Sequence, residues 1–136
     1  MHLKASTASN PLVLIVEESP AHSATVRGLL ESAGCRVQAA ATSRRGLQLA
    51  QELGPDLVLI DSAMSDFNGY QAMRRLSRCK STGHIPVVLT SARAGQGARA
   101  WGLRQGARAY LEKPYSETQL LSTVREVLGT DAPSSE

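Results

Sequence analysis

LVLID, residues 57–61, is a run of four aliphatic residues that ends on a carboxylate and follows a Gly54-Pro55 break. A run without polar alternation suits a strand covered on both faces, and such strands belong to parallel sheets. The form recurs along the chain: LVLIV at 12–16 and PVVL at 86–89 are also aliphatic, while the more polar 36–41 reads as an edge strand and 108–111 as the fifth strand. Between these runs the apolar residues change to helical spacing. Val26, Leu29, Leu30 and Ala33 fall at i, i+3, i+4 and i+7, with Ser19-Pro20 as N-cap and first helical residue and Gly34 as the stop. Ser43 reads as the cap of a second helix, which Gly54-Pro55 ends. A polar loop over 62–68 leads through Gly69 into a helix of about residues 70–79, and a glycine-rich helix is expected over about 95–105. Ser116 and Gln119 form a capping-box pattern for a last helix, whose apolar face is Leu120, Leu121, Val124, Val127 and Leu128. Five alternating strand–helix units imply an α/β, doubly wound parallel sheet with helices on both faces and right-handed crossovers. In such sheets functional groups gather at the carboxyl ends of the strands, near the switch point in strand order.

With 136 residues the chain fits one domain able to bury a core. That domain is expected over 11–129, with 1–10 a disordered extension and 130–136 a frayed tail. The formal net charge is +3, carried mostly by arginine. A basic excess raises the question of nucleic acid, but no long basic run or aromatic-rich stretch supports it. Arg44-Arg45 and Arg74-Arg75 read as solvated helix faces. No helix-turn-helix segment is evident in the 136 residues, so direct DNA binding is not expected. Residues 1–10 lack the apolar core of a signal peptide, and the aliphatic runs are too short to insert in a bilayer. Cys35 and Cys79 lie in no metal-type spacing and read as reduced thiols, consistent with a cytoplasmic location. His2, His22 and His84 show no ligand spacing, and His22 reads as a solvent-facing helix residue.

Four strand ends carry polar residues where the aliphatic runs stop. The first gives Glu17 and Glu18, the third Asp61, the fourth Thr90, and Lys113-Pro114 lies just beyond the fifth. Together they place three carboxylates, a hydroxyl and an ammonium at one edge of one sheet. Clustered carboxylates repel, so such a site favours a proton or a cation. Mg²⁺ suits a site with few carboxylates that also holds phosphate. Lys113 can pair with Asp61 at rest and with a phosphoryl oxygen later, and Thr90 can donate to another such oxygen. An aspartate can act as nucleophile and form an aspartyl phosphate. A polar rim without chemistry is the other reading of the same residues.

The segments LVLIVEESP (12–20), PDLVLIDSAM (55–64), FNGYQA (67–72), IPVVLTS (85–91) and GARAYLEKPY (106–115) resemble the receiver domains of two-component response regulators. The resemblance implies a five-stranded, five-helix fold with the flavodoxin-like strand order 2-1-3-4-5. It implies phosphorylation of Asp61 by a sensor histidine kinase or histidine phosphotransfer domain. It assigns the metal ligands to Glu17, Glu18, Asp61 and the Ala63 backbone carbonyl, with Glu18 as the direct and Glu17 as the water-mediated acidic ligand. The switch residues would be Thr90, Lys113 and Tyr110, and the Lys113-Pro114 bond would be cis. Output to a downstream effector protein would leave through the fourth helix, fifth strand and fifth helix, including Arg99, Trp101, Arg104 and Tyr110. The protein would catalyse only its own phosphorylation and dephosphorylation, as a monomer or weak dimer. FNGYQA and WGLRQGARAYLEKP (101–114) further resemble the single-domain regulators of type IV pilus twitching-motility chemosensory systems.

Some positions depart from the family pattern. Many receivers have two aspartates where this chain has Glu17 and Glu18, and Ser65 stands where proline is common. Each glutamate adds a methylene, and Mg²⁺ demands near-ideal geometry. Ala63 and Ala92 occupy two positions that tune phosphoryl lifetime in the family. The glutamate pair favours a rival reading, a phosphorylation-independent pseudo-receiver that binds proteins; Asp61, Thr90 and Lys113 oppose it. A flavodoxin would need a Ser/Thr/Gly-rich phosphate loop after the first strand, and a phospho-aspartate hydrolase would carry its nucleophile there. Glu17 and Glu18 fit neither.

Overall fold

The strands pair as the aliphatic runs require. The computed structural model describes residues 10–129; the expected terminal extension and tail fall outside them, apart from Asn10. The chain runs β1 (Leu12–Val16), α1 (Pro20–Ser32), β2 (Arg36–Ala40), α2 (Ser43–Leu53), β3 (Leu57–Asp61), α3 (Gly69–Arg78), β4 (Val87–Ser91), α4 (Gln96–Arg104), β5 (Ala109–Glu112) and α5 (Glu117–Gly129). All strand pairs are parallel, in the order β2-β1-β3-β4-β5. Every residue of β1, β3 and β4 is buried, whereas β2 exposes Arg36 and Gln38, as an edge strand does.

Alternate residues of one strand enter opposite cores, which explains the continuous hydrophobic runs. Val13, Ile15, Leu57 and Leu59 pack with Val26 and Leu30 of α1 and with Leu120 and Val124 of α5. Leu14, Val16, Val58 and Ile60 pack with Leu49, Met73 and Leu76 on the α2–α3 side. Truncating a fully buried residue such as Leu14 to alanine costs about 2–5 kcal/mol by this packing.

The ends of several elements differ from the sequence reading, and each for a local reason. Thr42, not Ser43, caps α2: its hydroxyl accepts the Arg45 amide at 3.0 Å. Ser43 is buried and donates instead to the Phe67 carbonyl at 2.7 Å, tying α2 to the loop before α3. α3 starts at Gly69 because Asn68 and Gln71 close a capping box. β3 and β4 run one and two residues further than their aliphatic runs, because Asp61 pairs in register with Thr90. Asp61 and Thr90 therefore leave from the sheet itself, whereas Glu17, Glu18 and Lys113 lie just past the ends of β1 and β5. β1 lies between β2 and β3, so the strand order reverses beside it and a crevice opens beyond the carboxyl ends of β1 and β3.

Candidate functional site

Asp61 ends β3 in that crevice and is only 8% exposed. Its backbone is closely covered: a Cβ on Gly69 would lie 2.5 Å from the Asp61 carbonyl oxygen, so the start of α3 packs here only as glycine. Lys113 follows β5, its amide donating to Ser91 O at 2.8 Å, and its bond to Pro114 is cis as expected. The Lys113 ammonium lies 3.1 Å from Asp61 Oδ2 and 3.1 Å from Glu17 Oε1. Burial disfavours the charge on Lys113, but hydrogen bonds and attraction to Glu17 and Asp61 outweigh it and hold its pKa above the ordinary value.

Glu17 is 7% exposed, and its second oxygen accepts the Ser19 amide at 3.1 Å. His22 Nε2 is 3.8 Å from Glu17 Oε1 and 3.0 Å from the Tyr115 hydroxyl. His22 keeps 35% of its side chain exposed, as a solvent-facing residue would, and also packs edge-on against Tyr115, with ring centroids 5.8 Å apart. Burial, together with the negative charges of Glu17 and Asp61, pushes the Tyr115 phenol up to about 12.

Glu18 lies apart from these groups. Its carboxylate accepts the Ser65 amide at 2.8 Å and so braces the β3–α3 loop. The structure therefore divides the expected metal set. Glu17 and Asp61 share Lys113, Glu18 holds Ser65, and the Ala63 amide makes a long 3.4 Å bond to Asp61 Oδ1. Among the described residues no three His, Cys, Asp or Glu side chains converge as a metal centre. The donors themselves remain hard oxygens of the kind Mg²⁺ takes, and Asp61 Oδ1 is only weakly engaged, so the residues fit that ion in kind.

Thr90 is buried at 3% exposure, opposite Asp61 in the sheet. Beside it, Ser62 Oγ donates to Ser91 Oγ at 2.9 Å, and Ser91 Oγ also accepts the Arg93 amide. Tyr110 is not on the surface expected of an output face. It is 2% exposed and donates its hydroxyl to the Arg93 carbonyl at 2.8 Å. Gly102 makes the room: a Cβ there would meet the Tyr110 ring at 2.8 Å. The other expected output residues are exposed but point two ways. Arg99 donates to the Tyr110 carbonyl at 3.0 Å, toward β5. Trp101, 43% exposed, meets the Tyr70 ring edge-on at 4.5 Å, and Arg104 lines the same groove on the α3 side. Burial, then the neighbouring Tyr110, raises the Tyr70 pKa. Tyr70, Tyr115, Ser62 and Ser91 lie inside the segments that carry the family resemblance, but sequence reasoning gave them no role; their contacts across the fold mark them.

The family described as response regulator receiver domain matches residues 13–125. Protein PilH of Pseudomonas aeruginosa is 40% identical over 85% of this chain and 96% of its own length. The DNA-binding dual master transcriptional regulator RpaA of Synechocystis is 36% identical over 87% of this chain, which spans only 49% of that protein. The receiver domain of sensor histidine kinase PA1611 from Pseudomonas aeruginosa, with magnesium coordinated in its active-site cleft, superposes with a TM-score of 0.81. The two are 26% identical and cover 90% of this chain and all (100%) of that one. Among the described residues no helix is long and apolar enough to cross a membrane.

Proposed function

The chain belongs to the response regulator receiver family of two-component signalling, and from that membership we propose that it is a phosphoacceptor switch with Asp61 as the nucleophile. The observation that carries this reading is the Lys113 ammonium, 3.1 Å from Asp61 Oδ2 at the carboxyl end of the sheet, beside the Thr90 position. An Asp61 oxygen attacks the phosphorus of a phosphohistidine already protonated on its other ring nitrogen; the P–O bond forms, the P–N bond breaks with its electron pair going to nitrogen, and the imidazole leaves neutral. Lys113 orients the attacking carboxylate and then faces the phosphoryl oxygens, while the Thr90 hydroxyl donates to one of them. A Mg²⁺ ion held by Asp61, Glu17, Glu18 and the Ala63 carbonyl would supply the remaining charge neutralisation. Glu18 can keep the Ser65 amide on Oε2 and still offer Oε1 to the ion.

The protein acts only on itself and is not a metabolic enzyme. Its donor is a histidine kinase or histidine phosphotransfer domain, and its output is a contact with an effector protein in the cytoplasm. The likeness to PilH supports a reading in which that output serves twitching-motility or chemotaxis-type signalling. Tyr110 points inward here, and phosphorylation acts on the switch through its differential interaction with the two states.

The test is incubation with Mg²⁺ and acetyl phosphate, followed by intact-mass measurement. Wild type should gain one phosphoryl group and Asp61→Asn none; equal labelling of both would overturn the assignment. The pseudo-receiver reading draws on one observation, the commitment of Glu17 to Lys113 and of Glu18 to Ser65. It expects no labelling of wild type under the same conditions.

A further inference from the structure

Residues 67–111, which span α3, β4, α4 and most of β5, hold eight of the chain's fifteen Lys and Arg and none of its twelve Asp and Glu. This stretch is therefore basic, with Asp66 just before it and Glu112 just after it, the latter accepting the Gly95 amide ahead of α4. Two of these cations converge on a concave feature: Arg93 and Arg104 line an open groove of about 960 Å³ between the β3–α3 loop and α4. No carboxylate lines that groove, and neither arginine makes an ion pair among the described residues. Its wall includes the edge-to-face pair of Tyr70 and Trp101, the latter one of the few large hydrophobic residues left exposed.

We propose that this groove docks an acidic segment of a partner protein, which seats an apolar side chain on Trp101 and Tyr70 and presents carboxylates to Arg93 and Arg104. Charge complementarity selects the partner. Guanidinium forks bind carboxylates in paired hydrogen bonds, and an exposed tryptophan with an arginine rim is the composition of an interface centre. A nucleic acid fits less well. Strand binding needs aromatic faces open for stacking, whereas Tyr70 and Trp101 close edge-on upon each other. Duplex binding needs cations spread along a backbone track, whereas these two guanidinium groups line one concavity. The groove lies on the α3 side of α4, apart from the Arg99 and β5 side.

The site is also wired to the switch. Its far end is Ser62 and Ala63, adjacent to Asp61, and the Arg93 carbonyl that accepts from Tyr110 belongs to its rim. Binding itself does not depend on Asp61 chemistry, so it is tested on the unphosphorylated chain.

The probe is a short peptide of glutamate and aspartate around one phenylalanine, titrated into the intact protein while the fluorescence of Trp101, the sole tryptophan, is followed. Saturable binding with a changed Trp101 emission is expected, weakening as salt rises. Arg93→Glu with Arg104→Glu should weaken it by about tenfold or more. Arg125→Glu, on α5 across the sheet, should leave it unchanged, with circular dichroism showing every variant folded. Absence of binding at millimolar peptide would overturn the proposal. So would equal binding of the glutamine–asparagine version of the peptide, or equal losses in the Arg125 variant. Tighter binding of a short DNA duplex, lost in the Arg93/Arg104 variant, would assign the groove to nucleic acid instead.

Discussion

Replacing Lys113 by methionine keeps most of the side-chain volume and removes the charge that holds Asp61 and Glu17 together. Each N–O separation is 3.1 Å, which at an effective dielectric of about 20 is an attraction of roughly 5 kcal/mol per pair. Desolvation of two carboxylates exposed by only 7–8% offsets much of that. Lys113 retains 24% exposure. Removing one partner of a buried pair costs about 3–5 kcal/mol, and partial solvation of Lys113 reduces this to about 2–4 kcal/mol. In the variant the two oxygens, no more than 6.2 Å apart (twice 3.1 Å), repel by roughly 3 kcal/mol at the same dielectric. Urea unfolding followed by far-ultraviolet circular dichroism at pH 7 without Mg²⁺ should show the loss as a midpoint lowered by about 1–2 M. Millimolar Mg²⁺ should stabilise Lys113→Met more than wild type, because the ammonium no longer competes for the carboxylates. The raised Lys113 pKa sets the alkaline limit. Its contribution is fully present below the ordinary lysine value of about 10.4 and is lost as pH rises through the folded value. The gap between variant and wild type should close there. An unchanged midpoint at pH 7, or an equal gain from Mg²⁺ in both proteins, would refute the role assigned to Lys113.

Four further outcomes are expected. Glu17→Asp with Glu18→Asp should tighten Mg²⁺ binding in a titration if the longer arms strain the octahedral site; equal or weaker binding would mean that the backbone already accommodates them. Thr90→Ala should bind beryllofluoride yet show a much smaller Trp101 fluorescence change, the coupling falling by about 1.5–3 kcal/mol for one charge-assisted hydrogen bond; a full wild-type change would exclude coupling through Thr90. Gly102→Ala places a methyl 2.8 Å from the Tyr110 ring. Overpacking of about 1–3 kcal/mol less a helix gain of about 1 kcal/mol leaves a net loss, and a higher urea midpoint would contradict the tight contact. Tyr115, with its pKa raised to about 12, contributes stability that is fully present below the ordinary phenol value of about 10 and lost as pH rises through the folded value. Tyr115→Phe should therefore lose stability less steeply above that pH; an unchanged alkaline profile would count against the burial assigned to it.

The aliphatic runs at 12–16, 57–60 and 86–89 were sufficient to establish a parallel sheet covered on both faces, because strand burial is written in local hydrophobicity. Helix ends set by neighbours in the chain were equally legible. Ser19 accepts the His22 amide, and Ser116 and Gln119 close their box, each over three residues. The strand order came from likeness to a family rather than from periodicity, and pairing in the folded sheet bears it out. The Lys113–Asp61 pair was legible, but the other side-chain partners across the crevice were not. The Glu18–Ser65, His22–Tyr115 and Lys113–Glu17 contacts span 47, 93 and 96 residues of chain. The inward turn of Tyr110 depends on a gap that Gly102 leaves on another element. Composition and spacing thus determined which residues reach the carboxyl edge of the sheet, since backbone pleat and pairing carry them there. Only the tertiary structure decided which oxygen faces which donor, because rotamers are chosen by competition among partners that meet once the chain has closed.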